Sequence, residues 1–297
     1  MGPPQPLTTA EIDAVVRPAL AEDRGGGDLT SITAIPENAR AKARLFPKSA
    51  GVIAGLPIFC RAFELCDPSA RIKQLVEDGA RVTSGQDLVI IEGLARALLT
   101  AERTALNFAQ RMSGTATLTA RYVELARAGG MNPVRILDTR KTTPNLRKFE
   151  KYAVRCGGGE NHRFGLFDEI MVKENHIELA GRALQSVLAD LRRAVGSTVR
   201  ITSEARDERE ALAGVDGGAD VILLDNLSPA EMTRLCPILR ARAESRGRSI
   251  ELEASGGIDE RTIGAVAASG VDRISVGALT HSAPALDLSL DLHPQNG

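Results

Sequence analysis

Hydrophobic and polar positions change rhythm along this chain, and the change predicts two regions of different build. Residues 9–20 read as a short helix, with Thr8 or Thr9 as its N-cap and Glu11 in its first turn. Short apolar runs follow at 43–46, 51–54, 72–77 and 87–91, with Asp78-Gly79 and Ser84-Gly85 supplying turns between strands. Residues 94–128 are rich in Ala, Leu and Thr, and Leu98, Ala101, Ala105 and Phe108 recur at helical spacing. They predict two helices separated near Ser113-Gly114, with Arg103 on the first.

From residue 134 onward strands alternate with helices. Strands are predicted at 134–137, 169–172, 199–201, 221–224, 250–253 and 273–276, and helices at 181–194, 207–215, 229–244 and 260–268. Such alternation implies a parallel sheet with crossover helices. No Gly-x-Gly-x-x-Gly follows a strand, which argues against a dinucleotide-binding open sheet. A β/α barrel fits better, and six clear strands rather than eight make it an incomplete one. In the first region, Gly25-Gly26-Gly27-Asp28 lacks the Gly-Lys-Ser/Thr ending of a phosphate-binding P-loop. The stretch 77–86 has the look of a lipoyl- or biotinyl-carrier hairpin, but no Lys stands at its tip to carry the group.

Composition narrows the partners. The 297 residues, 43% hydrophobic, suffice for two domains. A net charge of -1, a pI near 6.5 and 3% aromatics without Trp argue against a nucleic-acid binder. Four cysteines without a Cys-x-x-Cys spacing suit a reducing compartment. The N-terminus shows no apolar leader, and no run reaches membrane-spanning length, so the expectation is a soluble, cytoplasmic protein. Against this near-neutral background, residues 135–173 hold nine Lys or Arg and five Asp or Glu, beside strand-like apolar runs. Cations next to buried elements are costly to desolvate unless an opposite charge meets them, so a small, highly anionic ligand is implied.

The predicted strand ends carry Asp138-Thr139-Arg140-Lys141, Lys173, Glu204, Asp225-Asn226, Ser255-Gly256-Gly257 and Val276-Gly277-Ala278. In a β/α barrel these ends converge on one mouth. Small residues there let backbone N–H groups approach a phosphate. Glu204 and Asp225 are either members of structural ion pairs or carboxylates for Mg²⁺, which accepts one or two of them together with substrate phosphates. Arg140, Lys141, Arg163, Lys173 and His162 remain for carboxylates and phosphates. Four His and no His/Cys cluster give zinc no support, and Ser255 lies outside any Gly-x-Ser-x-Gly elbow.

Several motifs, in order, resemble the quinolinate phosphoribosyltransferase family: Asp138-Thr139-Arg140-Lys141-Thr142-Thr143-Pro144, Gly157-Gly158-Gly159 with Asn161-His162-Arg163, Leu224-Asp225-Asn226, Glu253-Ala254-Ser255-Gly256-Gly257-Ile258, and Ser275-Val276-Gly277-Ala278-Leu279-Thr280-His281. The resemblance also takes in Lys151-Tyr152-Ala153-Val154 and Glu102-Arg103 with Leu106-Asn107. It implies an N-terminal α/β sandwich at 1–114 and a seven-stranded, barrel-like catalytic domain at 115–297, whose C-terminal tail is left open to pack back on the first. It also implies a homodimer or higher oligomer with sites between subunits. The implied reaction joins quinolinate to phosphoribosyl pyrophosphate with Mg²⁺, giving nicotinate mononucleotide, pyrophosphate and CO₂. By resemblance, Arg140, His162, Arg163 and Lys173 hold the quinolinate carboxylates, with Arg103 reaching in from a partner subunit. Lys141, Glu204, Asp225, Ser255, Gly257 and Gly277 engage the phosphoribosyl pyrophosphate and its metal, with Thr139, Gly256, Val276 and Ala278 beside them. Lys141, Lys173, Glu204 and Asp225 are the expected catalytic set.

Two positions depart from the family pattern. Thr202 stands where family members often have the first carboxylate of a Glu-x-Glu pair, and Asn145 where Gly is common. A sister enzyme acting on another base, such as the paralogue linked to molybdate transport, and a non-catalytic phosphosugar-binding protein are the competing readings.

Overall fold

The structure, a computed structural model, describes residues 4–130 and 133–295. The chain divides into two compact units. The first holds the chain up to Ala120, Thr143–Gly158 and the stretch from Ser282; the second holds Arg121–Thr142 and Gly159–His281.

In chain order the first unit opens with α1 (Thr9–Arg24), α2 (Leu29–Ala34), β1 (Arg40–Pro47), β2 (Gly51–Val52) and α3 (Leu56–Cys66). It continues with β3 (Arg71–Gln74), β4 (Arg81–Val82), β5 (Val89–Leu94) and the long α4 (Ala95–Gly129), whose last turns belong to the second unit. Helix α1 starts where the sequence predicts: the Thr8 N–H donates to Glu11 Oε2 at 3.0 Å and the Glu11 N–H to Thr8 Oγ1 at 3.4 Å, a reciprocal cap. One face of the helix, Ile12, Val16 and Leu20, is buried. Strand β1 alternates, turning Ala41, Ala43 and Leu45 into the core.

Helix α4 corrects the two-helix expectation: it runs unbroken for 35 residues. Ser113 and Gly114 are there for packing rather than as a break. The Ser113 hydroxyl accepts the Ala54 N–H at 3.0 Å and donates to the Ala54 carbonyl at 3.2 Å. A Cβ on Gly114 would stand 2.0 Å from the Pro284 carbonyl oxygen, so only glycine lets that segment lie against the helix.

After β6 (Arg135–Leu137) and α5 (Arg147–Cys156), the alternation unfolds as β7 (Ile170–Val172), α6 (Glu174–Ala180), α7 (Leu184–Val195), β8 (Ile201–Ala205) and α8 (Glu208–Asp216). It ends with β9 (Val221–Asp225), α9 (Pro229–Glu244), β10 (Glu251–Ser255), α10 (Ile263–Ala267), β11 (Arg273–Ser275) and α11 (Ala278–His281). The final strand β12 (Leu288–Pro294) joins the first unit's four-stranded antiparallel sheet, ordered β12-β1-β5-β3, with Leu45 opposite Leu290. A separate β2-β4 pair completes that unit's strands. The expected strand at 199–201 lies further on, at Ile201–Ala205, because Thr202 and Ser203 are fully buried although polar and so interrupt the apolar run.

The second unit is an all-parallel sheet of six strands ordered β6-β11-β10-β9-β8-β7. Its first strand in the chain pairs with its last, leaving β6 and β7 as the two edges of the sheet. On the free side of β6, Leu137 forms a parallel bridge with Glu160, a single residue standing as a seventh stave. The architecture is therefore a small α/β sheet unit and an incomplete β/α barrel.

Gly114→Ala should cost about 1–3 kcal/mol, the range for overpacking a fitted contact, and should lower the urea midpoint without changing the slope of unfolding. An unchanged midpoint would show that the Pro284 segment yields freely.

Candidate active site

The strand ends of the second unit surround a cleft of about 620 Å³. Its lining includes Thr139, Arg140 and Lys141 after β6, His162 and Arg163 after the Glu160 bridge, Lys173 after β7, Glu204 on β8 and Asp225 on β9. Ser255 at the end of β10, Gly256 and Gly257 just after it, and Val276, Gly277 and Ala278 after β11 complete the ring. Every residue expected at the site from the sequence therefore lines one cleft, except Arg103, which stands exposed on α4 of the first unit.

Local structure explains how each is held. Asp138 is fully buried and accepts the His162 N–H at 2.9 Å, tying the loop after β6 to the segment after the bridge. The Thr280 hydroxyl donates to the Lys141 carbonyl at 2.8 Å, fixing the Lys141 backbone. The Lys173 N–H donates to His176 Nδ1 at 2.9 Å, while the Lys173 ammonium pairs with Glu204. Asn226, at φ +56°, occupies the left-handed region that Asn tolerates better than most residues, and its side-chain amide donates to Asp225 Oδ2 at 2.9 Å. A Cβ on Gly256 would fall 2.3 Å from Asn226 Oδ1, and both Gly256 and Gly257 have positive φ, so neither position suits a larger residue.

The cations act on one another. Burial and the neighbouring Arg140 charge push the Arg163 guanidinium below its usual value, though an arginine stays charged at neutral pH. Like charges held this way favour an anion between them.

Reaching inward from Glu253, which lines the cleft, is a layer of charge that sequence reading did not assign to the site. Arg273 is 2% exposed and its Nε lies 2.7 Å from Glu253 Oε2, a carboxylate with no exposure. Arg273 also faces Glu251 at 3.5 Å and Glu169 at 3.8 Å, while Arg135 and Arg200 reach Glu251 at 2.7 and 3.3 Å. The available signal was a charge inside each of two predicted apolar strands. Thr202, noted as a departure, donates its hydroxyl to Glu169 Oε1 at 2.8 Å within this layer. Asn145, the other departure, has φ +65°, a conformation glycine adopts freely and Asn tolerates.

Among the described residues, no three His, Cys, Asp or Glu gather as a metal cage. Glu204 and Asp225 share the cleft, with Glu204 tied to Lys173. Such a sparse oxygen set fits a hard cation only if a substrate brings most of its ligands.

The profile of the quinolinate phosphoribosyl transferase C-terminal domain matches residues 115–291, and that of the N-terminal domain matches 28–113. The chain belongs to the quinolinate phosphoribosyltransferase family. It is 41% identical to a probable carboxylating nicotinate-nucleotide pyrophosphorylase of Bacillus subtilis, covering 93% of this chain and 91% of that one. The corresponding Mycobacterium leprae protein is 38% identical, covering 96% of this chain and all of that one. The crystal structure of NadC from Streptococcus pyogenes superposes with a TM-score of 0.90 at 40% identity, covering 98% of this chain and all of that one. The family fold and the mixed α/β architecture thus agree, and no helix among the described residues is long and apolar enough to cross a membrane.

Glu253 gives the family cleft a pH dependence. Burial pushes its carboxyl up, but the His162 and Arg273 contacts outweigh burial and hold it below its ordinary value. A lowered folded-state value adds stability that is full above the unfolded value of about 4.3 and is lost as pH falls through the folded one. The stability advantage of the wild type over Glu253→Gln should therefore be largest near neutral pH and shrink below about pH 4. Urea midpoints at both pH values check this; a constant difference would contradict it.

Proposed function

We propose that the second unit's cleft joins quinolinate to phosphoribosyl pyrophosphate, giving nicotinate mononucleotide, pyrophosphate and CO₂ in NAD biosynthesis. The observation that carries this reading is the convergence of Arg140, Arg163, Lys141 and Lys173 with Glu204, Asp225 and two glycine-rich strand ends on one cleft. Arg140, Arg163 and Lys173 bind the two quinolinate carboxylates, with His162 beside them. Lys141 and the backbone around Gly256, Gly257 and Gly277 take the phosphates.

The pyridine nitrogen attacks the ribose anomeric carbon as the bond to pyrophosphate breaks. Positive charge grows on the ribose ring, and Glu204 and Asp225 stabilise it. Lys141 stabilises the departing pyrophosphate, and Mg²⁺ carried by the phosphates would add Lewis-acid stabilisation there. Once the ring nitrogen carries four-bonded positive character, the adjacent carboxylate leaves as CO₂ and the ring carbon takes up a proton.

Free thiols at Cys60, Cys66, Cys156 and Cys236 suit a reducing compartment, and we place the enzyme in the cytoplasm. The family resemblance supports a homodimer or higher oligomer in which Arg103 completes a partner's site, and exposed apolar Leu166 and Phe167 suit such an interface.

The central test is quinolinate consumption with phosphoribosyl pyrophosphate, with and without Mg²⁺. Nicotinate should be used roughly 10⁴-fold less well, because a site that pairs a group rejects the analogue lacking it. Comparable use of nicotinate would overturn the assignment of the cations. Asp225→Asn should lower kcat about 10²-fold, the scale of losing one electrostatic stabiliser, with little change in folding; near-wild-type turnover at saturating Mg²⁺ would make Asp225 structural.

Refolding Arg103→Ala together with Lys141→Ala should restore roughly a quarter of wild-type sites, since a mixed dimer carries one site with both defects and one with neither. Verified mixed dimers without activity would confine Arg103 to its own subunit or remove it from the site.

A further inference from the structure

His162 makes a hydrogen bond through Nδ1, while its Nε2 lies near a buried carboxylate without hydrogen-bond geometry. The Arg163 N–H donates to Nδ1 at 2.7 Å, so Nδ1 is the accepting nitrogen. Nε2, which then carries the proton in the neutral ring, lies 3.2 Å from Glu253 Oε1. The His162 side chain is 5% exposed and Glu253 not at all. Behind Glu253 stands Arg273, at 2.7 Å.

A second route joins the same two arginines. Arg273 Nη2 lies 3.8 Å from Glu169 Oε1, which also accepts the Thr202 hydroxyl, and the Glu169 carbonyl accepts Arg163 Nη1 at 3.3 Å. The backbone of Arg163 is thus held by His162, which Glu253 joins to Arg273, and its guanidinium is held by the Glu169 carbonyl, whose side chain Arg273 contacts directly.

We propose that Arg273 is a positioning residue that, through Glu253–His162 on one side and Glu169 on the other, fixes the pose of Arg163. The proposal rests on reading Arg163 as the residue that binds a pyridine carboxylate. Its physical basis is the burial of Arg273. A guanidinium in the barrel interior needs paired anions, and the anions it draws in cannot shift without exposing an uncompensated charge. Rigidity of this kind matters at a carboxylate clamp, because displacement of about 1 Å from a remote change can cost on the order of 10²-fold.

The test replaces the buried pair as a unit, Arg273→Met with Glu253→Met, since apolar replacement of both partners of a buried pair is often tolerated where loss of one is not. With folding confirmed by the urea midpoint, kcat/KM for quinolinate should fall about 10²-fold, mostly in KM. KM for phosphoribosyl pyrophosphate should move less than twofold or so, a split that general loosening of the fold would not produce. Unchanged quinolinate KM, or equal shifts for both substrates, would overturn the proposal.

Should the double variant fail to fold, two single changes at His162 decide. In Asn the side-chain oxygen replaces Nδ1 as acceptor for the Arg163 N–H, whereas Gln offers its amide at the Nε2 position. His162→Asn should retain roughly tenfold more kcat/KM for quinolinate than His162→Gln, the worth of one hydrogen bond; the reverse order would make His162 a ligand through Nε2. Imidazole ¹⁵N shifts of the wild-type protein without substrate should show a single tautomer protonated at Nε2. That readout stands even if quinolinate proves not to be the substrate, so failure of the functional reading and failure of the chain are told apart; a mixture of tautomers would overturn the chain.

Discussion

A guanidinium held inside a β/α barrel sets terms for everything around it. Arg273 begins β11 with its side chain almost wholly buried, and water cannot compensate its charge there. The compensation comes from the first residue of β10, Glu251, from Glu253 two residues on, and from Glu169 just before β7. Because side chains alternate along a strand, Glu251 and Glu253 share a face, and the register of β10 against β11 pairs Glu253 with Arg273 directly. A slip of one residue would turn both carboxylates away. The charge layer therefore fixes strand register inward from the cleft, and the strand ends at the cleft inherit it.

Much of this was legible in the sequence, for identifiable reasons. Alternating strands and helices after residue 134 need no tertiary information to be recognised, and neither does the rule that parallel strands in a barrel end at one mouth. That is why Arg140, Lys173, Glu204 and Asp225 were expected together and stand around one cleft. The cap at Thr8 and Glu11 is a local device and was equally readable.

What escaped depended on contacts distant in sequence. Gly114 has the look of a helix break and is a point of close approach to Pro284, 170 residues further on. Strand β4 has only two residues, too few for any periodicity. Burial of Thr202 and Ser203 hid the true extent of β8. Glu253 and Arg273 each looked like an anomaly in an apolar run; only their pairing across strands explains why both are tolerated. His162 shows the same limit at the level of role. Its place at the site could be expected, but the neighbours of its two ring nitrogens could not.

The pairing of β6 with β11 also bears on how the protein is made. The two strands that meet there are separated by more than a hundred residues of chain, and cleft residues come from both ends of that interval, Lys141 near its start and Gly277 after its close. Contacts of such wide separation form late, after the intervening loop-closure entropy has been overcome. On the ribosome, β6 emerges well before β11 exists, leaving one edge with unsatisfied N–H and C=O groups. Until β11 arrives, the nascent barrel is an open parallel sheet with no complete cleft, and that interval is when the chain has most need of protection from its neighbours.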